Sequence, residues 1–270
     1  MRKRKKSSQK KIRASVATYA PEPSHWLNPW CWLKNIVAVF LLIPAACLLT
    51  WTFYQTFSTV FVNEAARGPF WLMSEFWCFA SGMVVGGVFF FYSFRLSQTI
   101  KFYVFGHEIT HALGVYYSLG RVERLQVGED GGHVISSKIN TFIALAPYCL
   151  PIYSVILVGI YGWIGFFYPA VFENVYANYA LFWLIGITWA YHIAFTCWML
   201  TKDQADIAYG GWLFSWVTIY IVNLLCLSAV LILASSHATF RGFAVEFVRS
   251  SENLPALINL YFHKILYAIR

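Results

Sequence analysis

His107-Glu108-Ile109-Thr110-His111 puts two imidazoles four residues apart, with a carboxylate beside the first. On a helix, residues four apart share a face, so both rings can reach one metal ion while Glu108 stands next to the water it activates. This is the HExxH arrangement of zinc hydrolases. The chemistry is hydrolysis: the metal polarises water and a carbonyl, and the glutamate takes and returns a proton. Chance produces the pattern about 0.006 times in a chain of this length and composition. One zinc ion per chain is the expected cofactor, with His107 and His111 as ligands and Glu108 as general base.

A third ligand is needed. The long form of the motif asks for His at position 117, and although Gly114 fits that form, Tyr117 does not. Glu123 and Glu129 fall in a stretch that reads as a hairpin. Asp203 and Asp206, in Thr-Lys-Asp-Gln-Ala-Asp-Ile-Ala-Tyr-Gly-Gly, are the better candidates. Either could also serve as a helix N-cap or a solvated turn residue. Asp206 lies deeper in the apolar segment that follows, where an unpaired carboxylate is costly and a metal compensates it, so Asp206 is preferred. Asp203 sits beside Lys202 and can be satisfied by water.

The elements that must carry these residues are membrane helices. Of the 270 residues 59% are hydrophobic, 20% aromatic and only 12% charged. Soluble domains have about 25% charged residues, and a water-facing surface cannot be covered with half of that. The composition argues against a soluble protein, and a disordered chain, a disulfide scaffold and a nucleic-acid module are all poor readings. The net charge of +8 is concentrated in a tail, since eight of the twenty Lys/Arg lie between Arg2 and Arg13. The six cysteines are scattered without a CxxC pair and read as small packing residues.

A bilayer core of about 30 Å takes about 20 apolar residues per helix. Five stretches qualify: 36–62, 70–94, 142–167, 176–200 and 207–234. A sixth, 99–119, is shorter and carries the HExxH residues, which must face the protein interior or a wet cavity. After it, Val122–Val127 and His133–Ile139 flank Asp130-Gly131-Gly132, a strong hairpin signal because these residues accept positive φ. The expected fold is an all-α polytopic membrane protein with about six transmembrane helices and a β-hairpin after the HExxH helix. Residues 257–269 hold apolar positions at helical spacing and add a C-terminal interfacial amphipathic helix. The organisation is a basic tail (1–34), two accessory helices (35–98), a catalytic core (99–234) and an amphipathic tail (235–270). With six crossings, fifteen Lys/Arg fall on one face and five on the other. The positive-inside rule then puts both termini in the cytoplasm and the hairpin outside.

An HExxH within a transmembrane helix, followed by a hairpin, an Ala-Pro-containing span and a late Asp-bearing helix, resembles the site-2 proteases, intramembrane zinc metalloproteases that cut transmembrane substrates. The resemblance covers roughly residues 100–230. It implies His107 and His111 as ligands, Glu108 as base and an Asp from a later core helix as third ligand, for which the chain offers Asp206 or Asp203. The family often has Leu-Asp-Gly around that Asp, whereas Asp206 is followed by Ile207, with Gly210 and Gly211 further on. A Gly-Pro step with a nearby Asn is also common there. Here Ala146-Pro147 stands in and position 150 is Leu, which leaves Asn140 and His192 as polar substitutes for an oxyanion partner.

The implied substrate is a transmembrane protein in a lipid bilayer, cleaved after its helix unwinds against the hairpin edge as an added strand. Nucleic acid is not an expected partner, a regulatory partner is compatible with the sequence, and a bacterial inner membrane is the expected location. The rival readings are an ion or metal transporter, which would need polar residues spread over several spans, and an inactive protease-like scaffold, which would have no use for Glu108.

Overall fold

The structure is a computed structural model describing residues 14–15, 29–58, 60–62, 65–93, 97–128, 131–201, 205–235 and 238–253. It is mostly helical. Helix α1 (Pro29–Val37) runs through a π-helical turn (Ala38–Leu42) into α2 (Ile43–Ser58), and α3 (Ser74–Ser93) and α4 (Ser97–Tyr117) follow. After the strands come α5 (Thr141–Cys149), α6 (Ile152–Phe167), the short α7 (Ala170–Glu173), α8 (Val175–Leu200), α9 (Ala205–Gly210) and α10 (Trp212–Ala234), with residues 240–253 helical beyond them.

Among the described residues, four helices are long and apolar enough to cross a membrane: 32–58, α3, α8 and α10. A fifth crossing is counted if α5 and α6, which meet at 68°, form one broken span. Large apolar side chains such as Phe91, Phe166, Trp30 and Trp77 are exposed on the helix surfaces, as lipid-facing residues would be. The expected single span over 142–167 is thus bent. Pro151 lacks an amide hydrogen and cannot bond the carbonyl four residues back, and the helix breaks there. The expected sixth span is α4, which has the length but carries Lys101, His107, Glu108 and His111 and fails on composition.

α8 is the central helix, and α3 lies along it in parallel. Phe90 packs on Phe195, and Gly82 and Gly86 abut the backbone at Trp183 and Ile187. From the other side, Gly186 meets the backbone of Phe79 and Met83. A Cβ at any of the three glycines would collide with main chain, so these residues allow the contact that van der Waals packing between membrane helices requires.

Contacts between distant segments fix which helix ends lie together. Lys34 Nζ donates to Thr141 Oγ1 at 3.3 Å and sits over the rings of Tyr209 and Phe214. The starts of the first span, of α5 and of α10 therefore share one end of the bundle. Three short strands, β1 (Ala14–Ser15), β2 (Val60–Val62) and β3 (Ala65–Gly68), precede β4 (Val122–Val127) and β5 (Gly132–Ser136), which form the expected antiparallel hairpin at that end. β2 and β3 pair with each other. β1 adds to the outer edge of β5, Ala14 opposite Ser136 and Ser15 opposite Ile135. At the other end, Trp51, Gln55 and Thr56 line a cavity of about 510 Å³ together with Ala238, Arg249 and Asn253.

The N-terminal strand and the hairpin are at the same end, and residues 238–253 are at the opposite one. The physical reason is α4: it starts beside Tyr191 and Phe195 in the second half of α8 and ends beside Phe142 at the start of α5, so it does not run from one end of the bundle to the other. The expected amphipathic helix over 257–269 lies outside the described residues.

Candidate metal centre

α4 delivers His107, Glu108 and His111, all buried. The helix is held by a tight neighbourhood: Tyr103 stacks on Phe195, and Gly106 faces the ring of Tyr153. Asp206 arrives on α9, a helix of six residues held in place by Ile207, which is fully buried against Leu145, Tyr148, Cys149 and Ile219. The turn from α9 into α10 is made by Gly211 at φ 87°, a backbone conformation that favours glycine. Ser215 Oγ then ties α10 back to the Ile207 carbonyl at 3.0 Å.

The result is a convergence of three donor atoms from two distant parts of the chain. Asp206 Oδ2 lies 3.5 Å from His111 Nε2 and 3.9 Å from His107 Nε2. One ligand atom from each residue can be chosen so that all three lie within 4.8 Å of one another. Ligands at 2.0–2.1 Å around a tetrahedral metal stand about 3.3 Å apart, a spacing that the two Asp206–imidazole pairs approach. His111 Nδ1 lies 2.8 Å from the Ile143 carbonyl, which can only accept, so Nδ1 carries a hydrogen and Nε2 is the atom left to face Asp206. A ring nitrogen and a carboxylate oxygen at this distance are held together by a cation between them, a proton or a metal ion. The other carboxylate oxygen, Oδ1, is buried without a hydrogen-bond partner. A group of this kind fits a metal ion.

The surrounding groups orient the ligands, as outer-shell partners do at metal sites. Ile143 holds His111, Tyr103 Oη lies 3.3 Å from His107 Nδ1, and Tyr148 Oη donates to Asp206 Oδ2 at 3.3 Å. None of the three stands out in the sequence, where the two tyrosines are lost among seventeen. Asp203 lies outside the described residues, so the geometry speaks for Asp206 alone. The two expected oxyanion candidates are both engaged elsewhere. Asn140 caps α5 by accepting from the Ile143 amide at 2.8 Å and donates to Ser118 Oγ, and His192 Nε2 is 3.0 Å from Asn223 Oδ1.

Gly132 opens β5 directly against Glu108. A Cβ there would stand 2.8 Å from Glu108 Oε1 and 2.8 Å from the Gln126 carbonyl oxygen, which is backbone and cannot step aside. Gly132→Ala is therefore expected to displace the Glu108 carboxylate while leaving the three donors in place. Overpacking of this size costs about 1–3 kcal/mol. The expected outcome is unchanged metal content with stability lowered by about that amount, checked by metal analysis and denaturant unfolding on the same preparation.

Comparison with known proteins finds no neighbour: no protein-family model, no curated protein and no solved structure matches this chain.

Proposed function

We propose that this protein is an intramembrane zinc metalloprotease, hydrolysing peptide bonds in or near the transmembrane segments of other membrane proteins, as its resemblance to the site-2 proteases implies. The observation that carries the reading is the meeting of Asp206 with both imidazoles of the HExxH helix inside an apolar helical bundle, with Glu108 beside them. Two imidazoles and one carboxylate in a tetrahedral set suit zinc and leave a fourth position open. A zinc ion held there supplies Lewis-acid polarisation of water and of the scissile carbonyl.

The chain's own residues do the rest. Glu108 Oε1 or Oε2 takes a proton from the attacking water and passes it to the departing amide nitrogen. Ile143 and Tyr103 hold the imidazoles in register, and Gly132 leaves the base room to move between its two partners. An extended substrate segment finds main-chain partners on the hairpin. Among the described residues β1 takes 135–136 and none pairs with 132–134 on that edge, so 132–134, the stretch that begins at Glu108, is the part offered to such a segment.

The test is metal analysis of the detergent-purified protein together with cleavage of a transmembrane peptide. One zinc per chain and cleavage abolished by a chelator are expected, with activity restored by added zinc. Zinc bound without any hydrolysis would instead favour the transporter or scaffold reading.

We further infer that the site faces the cytoplasm. With five crossings, sequence order assigns Arg67, Arg241, Arg249, Lys264 and Arg270 to one face and the other fifteen Lys/Arg to the face of the hairpin. The positive-inside rule then keeps the N-terminus in the cytoplasm, brings the hairpin with it and puts the C-terminal segment outside. Single cysteines at Gly128 and Arg241, in a cysteine-free background, are expected to react with an impermeant thiol reagent in intact cells at 241 and not at 128. The reverse pattern would overturn the assignment.

A further inference from the structure

Hydrolysis of an amide leaves negative charge on the carbonyl oxygen as water adds, and a preorganised donor aimed at that oxygen is among the larger contributions an active site makes. Asn140 and His192 are committed to other partners, and the Tyr103 hydroxyl lies against Nδ1 of His107, the nitrogen that does not face Asp206. Tyr148 is placed differently. Its side chain is fully buried, its ring stands edge-on to His107 at a centroid distance of 5.2 Å, and its hydroxyl reaches the same Asp206 oxygen that both Nε2 atoms face. The bond to Asp206 is 3.3 Å, long for an O–H···O contact, whose usual value is 2.7–2.8 Å. A hydroxyl so loosely held exchanges readily for a better acceptor.

The backbone behind Tyr148 is fixed. Pro151, lacking an amide hydrogen, forces the break between α5 and α6, and Asn223 Nδ2 reaches across from α10 to donate to the Tyr148 carbonyl at 2.8 Å. Asn223 also bonds the Ile219 carbonyl and faces His192, so it is itself held from three sides. The ring therefore approaches the donor set from a rigid base with only its hydroxyl free to turn.

We propose that the Tyr148 hydroxyl is the oxyanion donor of this site, taking the part for which the sequence suggested Asn140 or His192; the inference rests on the metalloprotease reading above. As the water oxygen bonds to the carbonyl carbon, the C=O π pair moves onto oxygen and Tyr148 turns from Asp206 Oδ2 to donate to it. Glu108 holds the proton taken from water and delivers it to nitrogen as the C–N bond breaks. Tyr148 lends a hydrogen bond throughout and keeps its proton.

The test is Tyr148→Phe in the full-length protein, read in three ways. Zinc content is expected to stay at one per chain. The kcat for a transmembrane peptide falls about 100-fold with KM within about twofold. Affinity for a phosphinic peptide, which carries a tetrahedral anion at the reacting centre, weakens by a similar factor to kcat. Loss of zinc in Tyr148→Phe would overturn the proposal, because the hydroxyl would then serve only to position Asp206. Unchanged kcat or unchanged phosphinic affinity would overturn it as well. Should Tyr148→Phe not purify as a folded species, Tyr148→Met removes the donor while filling the space, and the same three readings decide. A wild-type protein that binds no zinc or cleaves nothing fails the metalloprotease reading itself, a result visible before any variant is made, and this proposal falls with it.

Discussion

Glu108→Gln is expected to bind zinc as the wild type does and to cleave nothing measurable. The amide has the size and shape of the carboxylate, so the helix, the His107–His111 pair and the contact with Gly132 all survive. What is lost is the ability to take a proton from water at neutral pH. General-base catalysis is worth about 10²–10⁴-fold, and the upper end applies here because no other buried carboxylate is available among the described residues: Asp206 is committed to the imidazoles. The measurements are zinc stoichiometry and single-turnover cleavage on one preparation. Retained cleavage would remove Glu108 from its role. Lost zinc would mean that the carboxylate is a ligand.

The second large effect is expected at Asp206. Structural zinc sites bind with about 10–16 kcal/mol in total, so each of four ligands carries about 3 kcal/mol, more than 100-fold in affinity. Asp206→Ala removes the only carboxylate of the donor set and should release zinc at ordinary concentrations, with loss of activity as a consequence. Asp206→Asn is the sharper variant, since it keeps the volume beside Ile207 and an acceptor for Tyr148 while removing the charge. It is expected to show weakened zinc binding with unchanged folding, read by competition with a chromophoric chelator. Normal zinc occupancy in Asp206→Ala, with loss in Asp203→Ala, would reassign the third ligand.

How much of this was legible beforehand depended on whether the signal was local. His107, Glu108 and His111 are fixed by spacing on one helix. The hairpin followed from Asp130-Gly131-Gly132 between two β-prone arms, and Asp206 stood out because the chain has so few aspartates. Composition alone gave the apolar helices. The number of crossings was not local, because it turned on whether α4 traverses the bundle, and only the pairing of residues 14–15 with 135–136 and of Lys34 with Thr141 decides which ends meet. The break at Pro151 was hidden inside an apolar run that hydropathy reads as continuous. Gly132 was read for its turn conformation, and its further role, leaving space for Glu108, depends on an element that arrives from elsewhere in the fold. Tyr103, Tyr148 and Asn223 had no signal at all, since a hydroxyl aimed at a ligand and one sitting in a membrane interface are the same residue type.

The two-residue strand β1 also bears on how copies of this protein behave toward one another. An uncovered sheet edge is a template on which another chain can pair, and natural proteins shield such edges. β1 covers β5 at Ile135 and Ser136. A preparation trimmed ahead of residue 16 would present that stretch bare, in a three-stranded sheet reduced to two. Molecules so trimmed would meet hairpin to hairpin, and their self-association would begin at β5, beside Glu108, with each copy covering the other's site.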